Sequence, residues 1–308
     1  MRNLLTLLLA AALATGCAGH APRPADDAAA RPLYAMTPEQ VDTYLARMQA
    51  DEPDLRRRIA AIGRRNIGQP YRLNLLGEYP FQLHDRLPMF SLESSDCVVF
   101  SEQTYAMALS GSWEEFFWML QRIRYRDGIV GVATRNHYTE QDWNVSNAWL
   151  VTDISARLAG AHVATYALTV DRATFLRERH GTSVALPVTH STEAYVPRTR
   201  VHDVLDQLSD GDFVNVVSMR DGKYWVSHVG LVALGADGTR HFLNSAEPQV
   251  REETFDAFMA RVDKRVADNT AAGKPATHLA GFKFLRLNDD IVVPPALAQP
   301  RPRRVAGQ

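Results

Sequence analysis

The chain has 308 residues, of which 46% are hydrophobic and 22% charged, and its formal net charge is -1. This composition is typical of a globular protein long enough for one large domain or two small ones. The balance of charges excludes the strong basic field by which proteins attract nucleic acid, so no nucleic-acid partner is expected.

Residues 1–16 have the pattern of an export signal. Arg2 precedes an apolar run over residues 4–13, and small residues follow directly before Cys17. A charged start, a short apolar core and a small-residue cleavage site are typical of secretory signals, and the run is too short to span a membrane. The cysteine at this point resembles the lipid-modified residue of bacterial lipoproteins. That resemblance implies a periplasmic protein held by its N-terminal lipid, at the outer membrane; an ordinary signal peptide cut nearby is the alternative.

Composition predicts the remaining boundaries. An Ala-, Pro- and charge-rich stretch suits a flexible tether, and a Pro- and Arg-rich end without periodicity suits a disordered tail. The expected segments are the signal at 1–16, the tether at 17–36, one domain at 37–290 with a helical insertion at about 112–181, and the tail at 291–308.

Helices dominate the first half of the chain. Thr37, Pro38 and Gln40 supply an N-cap, a proline at the first helical position and a capping-box glutamine. A second helix is expected from Pro53, with arginines 56–58 on its solvated side. Further helices are predicted over residues 97–109, 112–124, 147–158 and 171–181.

The later half of the chain predicts strands. The turn signal Asp221-Gly222 lies between apolar runs, as in a β-hairpin. Strands are expected over residues 162–170, 213–219, 224–234, 240–246 and 281–287, with a helix at 254–265. Helices followed by an antiparallel meander indicate the α+β class.

Cys97 is the thiol that remains once Cys17 is lipid-modified. It follows Asp96, a good N-cap, so it is expected in the first turn of a helix. Unpaired N–H groups and the helix dipole there stabilise a thiolate, which is the nucleophilic form of cysteine. Taken alone, a cysteine before Val98 and Val99 also suits a buried core position.

His228 supplies the partner that a nucleophilic thiol needs. Imidazole can accept the thiol proton and then protonate a leaving amine near neutral pH. A third polar group must orient the ring, and Asn244 and His241 lie on the following strand, on opposite faces by alternation. Strand register favours Asn244, while His241 is the alternative.

Ser95-Asp96-Cys97, Gly211-Asp212 and Ser227-His228-Val229-Gly230 occur in the order typical of NlpC-type papain-like cell-wall hydrolases, which this chain resembles. Segment 96–102 resembles the helix start of the N-acetylmuramoyl-L-alanine amidase-like branch. The same branch has an Arg-x-His-Tyr segment that leads to Asp-Trp, and this chain resembles it at Arg135-Asn136-His137-Tyr138 and Asp142-Trp143. The resemblance implies a papain-like (NlpC-type) core, with the nucleophile at a helix N-terminus packed on an antiparallel sheet and with extra N-terminal and inserted helices.

The resemblance also implies a function. It implies a cysteine amidase that hydrolyses the N-acetylmuramoyl-L-alanine bond of peptidoglycan fragments (muropeptides), without cofactor or metal. The implied catalytic residues are Cys97, His228 and Asn244. The implied substrate-binding residues are Tyr71, His137, Tyr138, Asp142 and Trp143.

Two other functions remain open at this point. One is an endopeptidase of the same superfamily, which cuts between D-Glu and the diamino acid. The other is a peptidoglycan-binding lipoprotein that keeps the fold without turnover, because Asn244 stands where the family usually has His.

Overall fold

The computed structural model describes residues 31–82 and 85–294. The expected signal peptide, the lipidation site Cys17 and most of the tether and tail lie outside these residues. Leu33 and Met36, at the end of the expected tether, are buried in the core. In the described ranges no helix is long and apolar enough to cross a membrane.

The helices begin at the expected capping residues. Thr37 forms the capping box with Gln40, Asp96 accepts hydrogen bonds from two N–H groups of its helix, and Gly181 ends another helix in the left-handed conformation. The helices are α1 (Pro38–Asp51), α2 (Leu55–Arg64), α3 (Cys97–Ala108), α4 (Trp113–Arg124), α5 (Asn144–Ser146), α6 (Ser155–Ala159), α7 (Arg172–His180) and α8 (Phe255–Ala271).

The strands form one eight-stranded antiparallel sheet, which confirms the mixed α and β architecture expected from the sequence. Its order is β2-β3-β8-β4-β5-β6-β7, with β1 also paired to β8. The strands are β1 (Val151–Asp153), β2 (Ala164–Val170), β3 (Thr189–Pro197), β4 (Phe213–Arg220), β5 (Lys223–Leu234), β6 (Arg240–Ala246), β7 (Gln249–Thr254) and β8 (His278–Leu287).

Both faces of the central strands are covered. Helices α1 to α4 pack on one face, against side chains that include Phe213, Leu231 and Leu285. Helix α8 packs on the other face, against side chains that include Val216 and Phe282. Alternate residues of one strand therefore point into different cores, which explains why the first six residues of β4 are all buried.

Strands β5 and β6 pair over only part of their length. Their pairing runs from Leu231 opposite Leu243 to Leu234 opposite Arg240. In the described structure, the earlier part of β5 pairs with β4 and the end of β6 pairs with β7. We call the space between these two diverging ends, residues 223–230 and 244–246, the β5–β6 gap. The start of α3 lies at this gap.

The expected helix over residues 147–158 forms only at its end, where α6 begins at Ser155. Asn147 follows the short helix α5, and its side chain donates to the carbonyls of Ile123 and Trp143. The chain then forms β1, in which Val151 pairs with Leu287. The insertion at 112–181 therefore contains β1 in addition to the expected strand β2, because pairing of β1 with distant β8 outweighs local helix propensity.

Two further differences concern charged residues. Arg58, expected in solvent, is buried and donates from Nε to the Ala108 carbonyl at 2.7 Å, so it joins α2 to the end of α3. Strand β7 is absent from the sequence prediction because its charged residues hide the pattern. Only Val250 in β7 is fully buried, as is typical of an edge strand.

Candidate active site

Asp96 positions the first turn of α3. Its Oδ1 accepts hydrogen bonds from the N–H groups of Val98 at 3.1 Å and Val99 at 2.9 Å. Cys97 is the first residue of the helix, and its side chain is half-buried. The nucleophile predicted from the sequence therefore occupies the expected place at a helix N-terminus.

A buried hydroxyl network holds this helix start at the β5–β6 gap. Ser245 of β6 donates from Oγ to the Ser95 carbonyl at 3.0 Å, and Ser95 donates from Oγ to Gln69 Oε1 at 2.7 Å. From the other strand, the N–H of Val229 hydrogen-bonds to the Cys97 sulfur and favours its ionised form. Cys97 thus lies beside the residue that follows His228 in the chain.

Asn244 orients the His228 ring. Oδ1 of Asn244 and Nε2 of His228 are 3.0 Å apart. The Asn244 amide nitrogen donates to the Phe242 carbonyl and to Glu253 Oε1, which fixes Oδ1 toward the ring. Because Oδ1 can only accept, Nε2 carries the proton and Nδ1 is left as the basic nitrogen. The ring also stacks on Phe258 of α8.

His241 lies away from this pair. Its Nδ1 is 2.9 Å from Glu252 Oε1, and Glu252 also pairs with Arg64 of α2. His241 and Asn244 are separated by an odd number of positions in β6, so their side chains point to opposite faces. The structure thus gives the orienting position to Asn244.

The pair is neutral at rest. Burial raises the pKa of the Cys97 thiol to about 12, and the Asp96 carboxylate acts in the same direction. Burial lowers the pKa of His228 to about 4, although its bond to Asn244 opposes this change. The sequence suggested a stabilised thiolate, but loss of water outweighs the helix N-terminus and the Val229 N–H.

A cavity of about 490 Å³ lies over His228. Its walls come from β4, β5, the β6–β7 turn and α8. Lining residues include Tyr71, Ser218, Trp225, Ser227, His228, Glu247, Arg261, Arg265 and Asn269. The Cys97 sulfur also raises the pKa of Tyr71, which burial mainly raises to about 12. Tyr71 is therefore close to both the thiol and the cavity.

Trp143 and Asp142, for which the sequence predicts a binding role, are buried and paired within the protein. Trp143 is 2% exposed and donates from Nε1 to Glu102 Oε1 of α3 at 3.0 Å. Asp142 is 1% exposed and pairs with Arg172 at 2.9 Å. Among the described residues that line the cavity, neither is present. Their polar atoms are used within the protein.

His137 and Tyr138 also lie outside the cavity lining in the described ranges. Nε2 of His137 is 2.8 Å from the Val132 carbonyl, and burial lowers the pKa of this histidine to about 3. Tyr138 packs edge-on against Phe175 of α7. Of the five substrate-binding residues expected from the sequence, Tyr71 is the one that the described structure brings to the cavity.

The sequence did not predict that residues of α8 line the cavity. Arg261, Arg265 and Asn269 follow one another at four-residue spacing, which places them on one helix face. The spacing was visible in the sequence, but the expected helix stopped at residue 265. Within the described residues, no group of three or more His, Cys, Asp or Glu side chains could hold a metal ion.

A comparison with family models identifies the family of this chain. A family model described as AmiA-like, N-acetylmuramoyl-L-alanine amidase-like, matches residues 61–266. No curated protein matches the chain.

Solved structures show a similar fold. A Legionella pneumophila protein assigned to the family model DUF1460 has a TM-score of 0.67 at 17% identity, covering 83% of this chain and 97% of that one. An N-acetylmuramoyl-L-alanine amidase from Bacteroides uniformis has a TM-score of 0.57 at 19% identity, covering 76% and 99%.

Replacing Asp96 with Asn tests the electrostatics of the thiol. Asn caps a helix as well as Asp does, but it removes the negative charge that disfavours the thiolate. We expect the pKa of Cys97 to fall in D96N, with about tenfold more thiolate at neutral pH for each unit of decrease. The rate of alkylation by iodoacetamide, measured against pH, should rise accordingly.

The matched control is Asp54→Asn, the same change at the N-cap of α2. This variant should alkylate at the wild-type rate. Equal rates in D96N and the wild type would show that the Asp96 charge does not act on the thiol.

Proposed function

Because the chain belongs to the N-acetylmuramoyl-L-alanine amidase-like family, we propose that it is a papain-like cysteine hydrolase of the NlpC type. Its substrates would be peptidoglycan fragments, and the bond cleaved would join the lactyl group of N-acetylmuramic acid to L-alanine. The observation that supports this most is the His228–Asn244 hydrogen bond beside a helix-borne thiol. It leaves Nδ1 to act as the base, and Cys97 contacts the backbone of Val229, the residue that follows His228.

In the proposed first step, the Cys97 sulfur attacks the lactyl carbonyl carbon. His228 Nδ1 accepts the thiol proton as the carbon–sulfur bond forms, because both groups are neutral beforehand. Asn244 Oδ1 stabilises the resulting imidazolium through Nε2–H. The N–H of Cys97 is suited to stabilise the negative oxygen, because Asp96 already accepts from the N–H groups of Val98 and Val99.

Collapse of this intermediate breaks the carbon–nitrogen bond. The imidazolium gives its proton to the leaving L-alanyl amine, and a thioester remains on Cys97. Water then attacks the thioester carbon while Nδ1 accepts a proton from it. The carbon–sulfur bond breaks, the proton returns to sulfur, and the lactyl carboxylic acid is released.

Mass spectrometry of muropeptide digests tests the bond assignment. We expect the wild-type protein to release an intact stem peptide and a saccharide without peptide. Cys97→Ala should reduce turnover to background because the nucleophile is lost. A saccharide that retains L-Ala-D-Glu would instead identify the endopeptidase activity, and unchanged turnover in C97A would contradict the mechanism.

A pair of substitutions in β6 tests the orienting role. Asn244→Ala should lower kcat/KM by about 100-fold, the lower range of what acid–base catalysis contributes. His241→Ala should keep kcat/KM near the wild-type value, since His241 faces Glu252. Steady-state kinetics on a purified muropeptide give both values, and the opposite ranking would move the orienting role to His241.

We further propose that the protein is exported to the periplasm and anchored at the outer membrane by lipid on Cys17. The support is the sequence of residues 1–17, which combines a short apolar run with a cysteine after small residues. Metabolic labelling with a palmitate analogue should mark the wild-type protein but not Cys17→Ser. Label retained in C17S would contradict this anchor.

A further inference from the structure

The arginine side chains of α8 that line the cavity have no role in the proposed reaction. Arg261, Arg265 and Asn269 line the cavity from one face of this helix, while His228 lines it from β5. A guanidinium group has no part in the proton transfers described above. The arginines of α8 are therefore candidates to bind a part of the ligand that His228 does not contact.

Three arginines are close enough to influence one another. Burial lowers the pKa of Arg251, and the charges of Arg261 and Arg265 lower it further. Both arginines of α8 also lower the pKa of His228. Bringing cations together costs free energy unless anions compensate for them. This region therefore favours an anion.

Two of these arginines donate hydrogen bonds to acceptors of the protein itself. Arg261 donates to Glu253 Oε1 at 2.6 Å, and Arg251 donates to the carbonyls of Ala246 and Glu247. Arg265 differs, because no carboxylate of the described residues pairs with it. Glu247 also lines the cavity, yet no ion pair joins it to Arg265 in the described ranges.

We propose that Arg265 binds a carboxylate of the substrate's peptide, with Asn269 one turn further along α8 as a second donor. This inference rests on the proposed function, in which the L-alanyl peptide leaves from a carbonyl held next to His228. The residue after L-alanine in that peptide is D-glutamate, which carries negative charge. A guanidinium group can hold a carboxylate through two parallel hydrogen bonds.

The role of Arg265 is one of specificity, since it distinguishes an acidic peptide from a neutral one. Arg261 remains committed to Glu253, which in turn holds the Asn244 amide. Arg261 is therefore a positioning residue for the His228 pair. Arg265 is the arginine of α8 that is available to a ligand.

Binding measurements test the proposal separately from turnover. The full-length Cys97→Ala protein would be titrated by calorimetry with L-Ala-D-Glu and with its diamide, in which both glutamyl carboxyl groups are neutral. We expect the acid to bind more tightly than the diamide. Adding Arg265→Ala should weaken binding of the acid by about tenfold, the scale of one charge-assisted hydrogen bond, and leave the diamide unchanged.

Lys264→Ala is the matched control. Lys264 is the preceding residue of α8, pairs with exposed Asp268 and does not line the cavity among the described residues. Its removal takes the same charge from the helix, so it should leave the preference for the acid intact. Arg265→Lys should retain part of that preference, because it keeps the charge but not the paired hydrogen bonds.

Kinetics on N-acetylmuramoyl-L-Ala-D-Glu and its diamide distinguish the two proposals. Cleavage of both compounds at equal kcat/KM, with no effect of R265A, would overturn the role of Arg265 and leave the amidase proposal standing. Charge-selective binding that R265A abolishes, without cleavage of either compound, would support the carboxylate site and contradict the amidase. Equal weakening of acid and diamide by R265A would also overturn the inference.

Discussion

The close approach of β5 and β6 at Gly230 is the constraint on which the site depends. A Cβ atom at this position would lie 2.7 Å from the Leu243 carbonyl oxygen and 2.9 Å from the Asn244 Cβ. Any larger residue would push the strands apart at the point where Asn244 reaches His228. From Gly230 toward residue 223, β5 diverges from β6. The start of α3 brings the Cys97 thiol to the space between the two strands. The site therefore needs β5 and β6 to be in close contact at Gly230 and to separate within a few residues of it.

Buried charged side chains around α3 pair with one another. Glu102 of α3 accepts from Trp143 and lies 3.5 Å from Arg124 of α4, and burial raises the pKa of this carboxyl to about 7. Arg135 pairs with Glu78, which is also buried. Removing one member of such a pair leaves an uncompensated charge in the core, which costs several kcal/mol, about 3–5. The segment around Trp143 therefore stabilises the helix that carries Cys97.

Local signals in the sequence were sufficient for much of the fold. Thr37, Asp96 and Asp171 begin helices, Asp221-Gly222 turns a hairpin, and strand alternation places Asn244 on the His228 side. Each of these depends on neighbours in the chain. Strands β1 and β7 escaped prediction because their pairing partners determine them.

The same limit applies to the site. The family resemblance implied that Asp142, Trp143 and His137 bind substrate, whereas the structure pairs all three with other groups of the protein, and the partners of Asp142 and Trp143 are distant in the sequence. The pKa of Cys97 was misjudged for a related reason. Helix position is visible in the sequence, whereas the loss of water around the sulfur depends on the core residues that pack against Cys97 from distant parts of the chain.

The raised pKa of Cys97 also determines how the protein withstands oxidants. Peroxide and disulfides react with the thiolate, and a thiol of pKa about 12 has on the order of one thiolate in 100,000 molecules at pH 7. In the proposed mechanism, the sulfur stays unreactive until a bound carbonyl and the basic nitrogen of His228 draw the proton away. A raised pKa therefore slows oxidation of Cys97 in the resting protein.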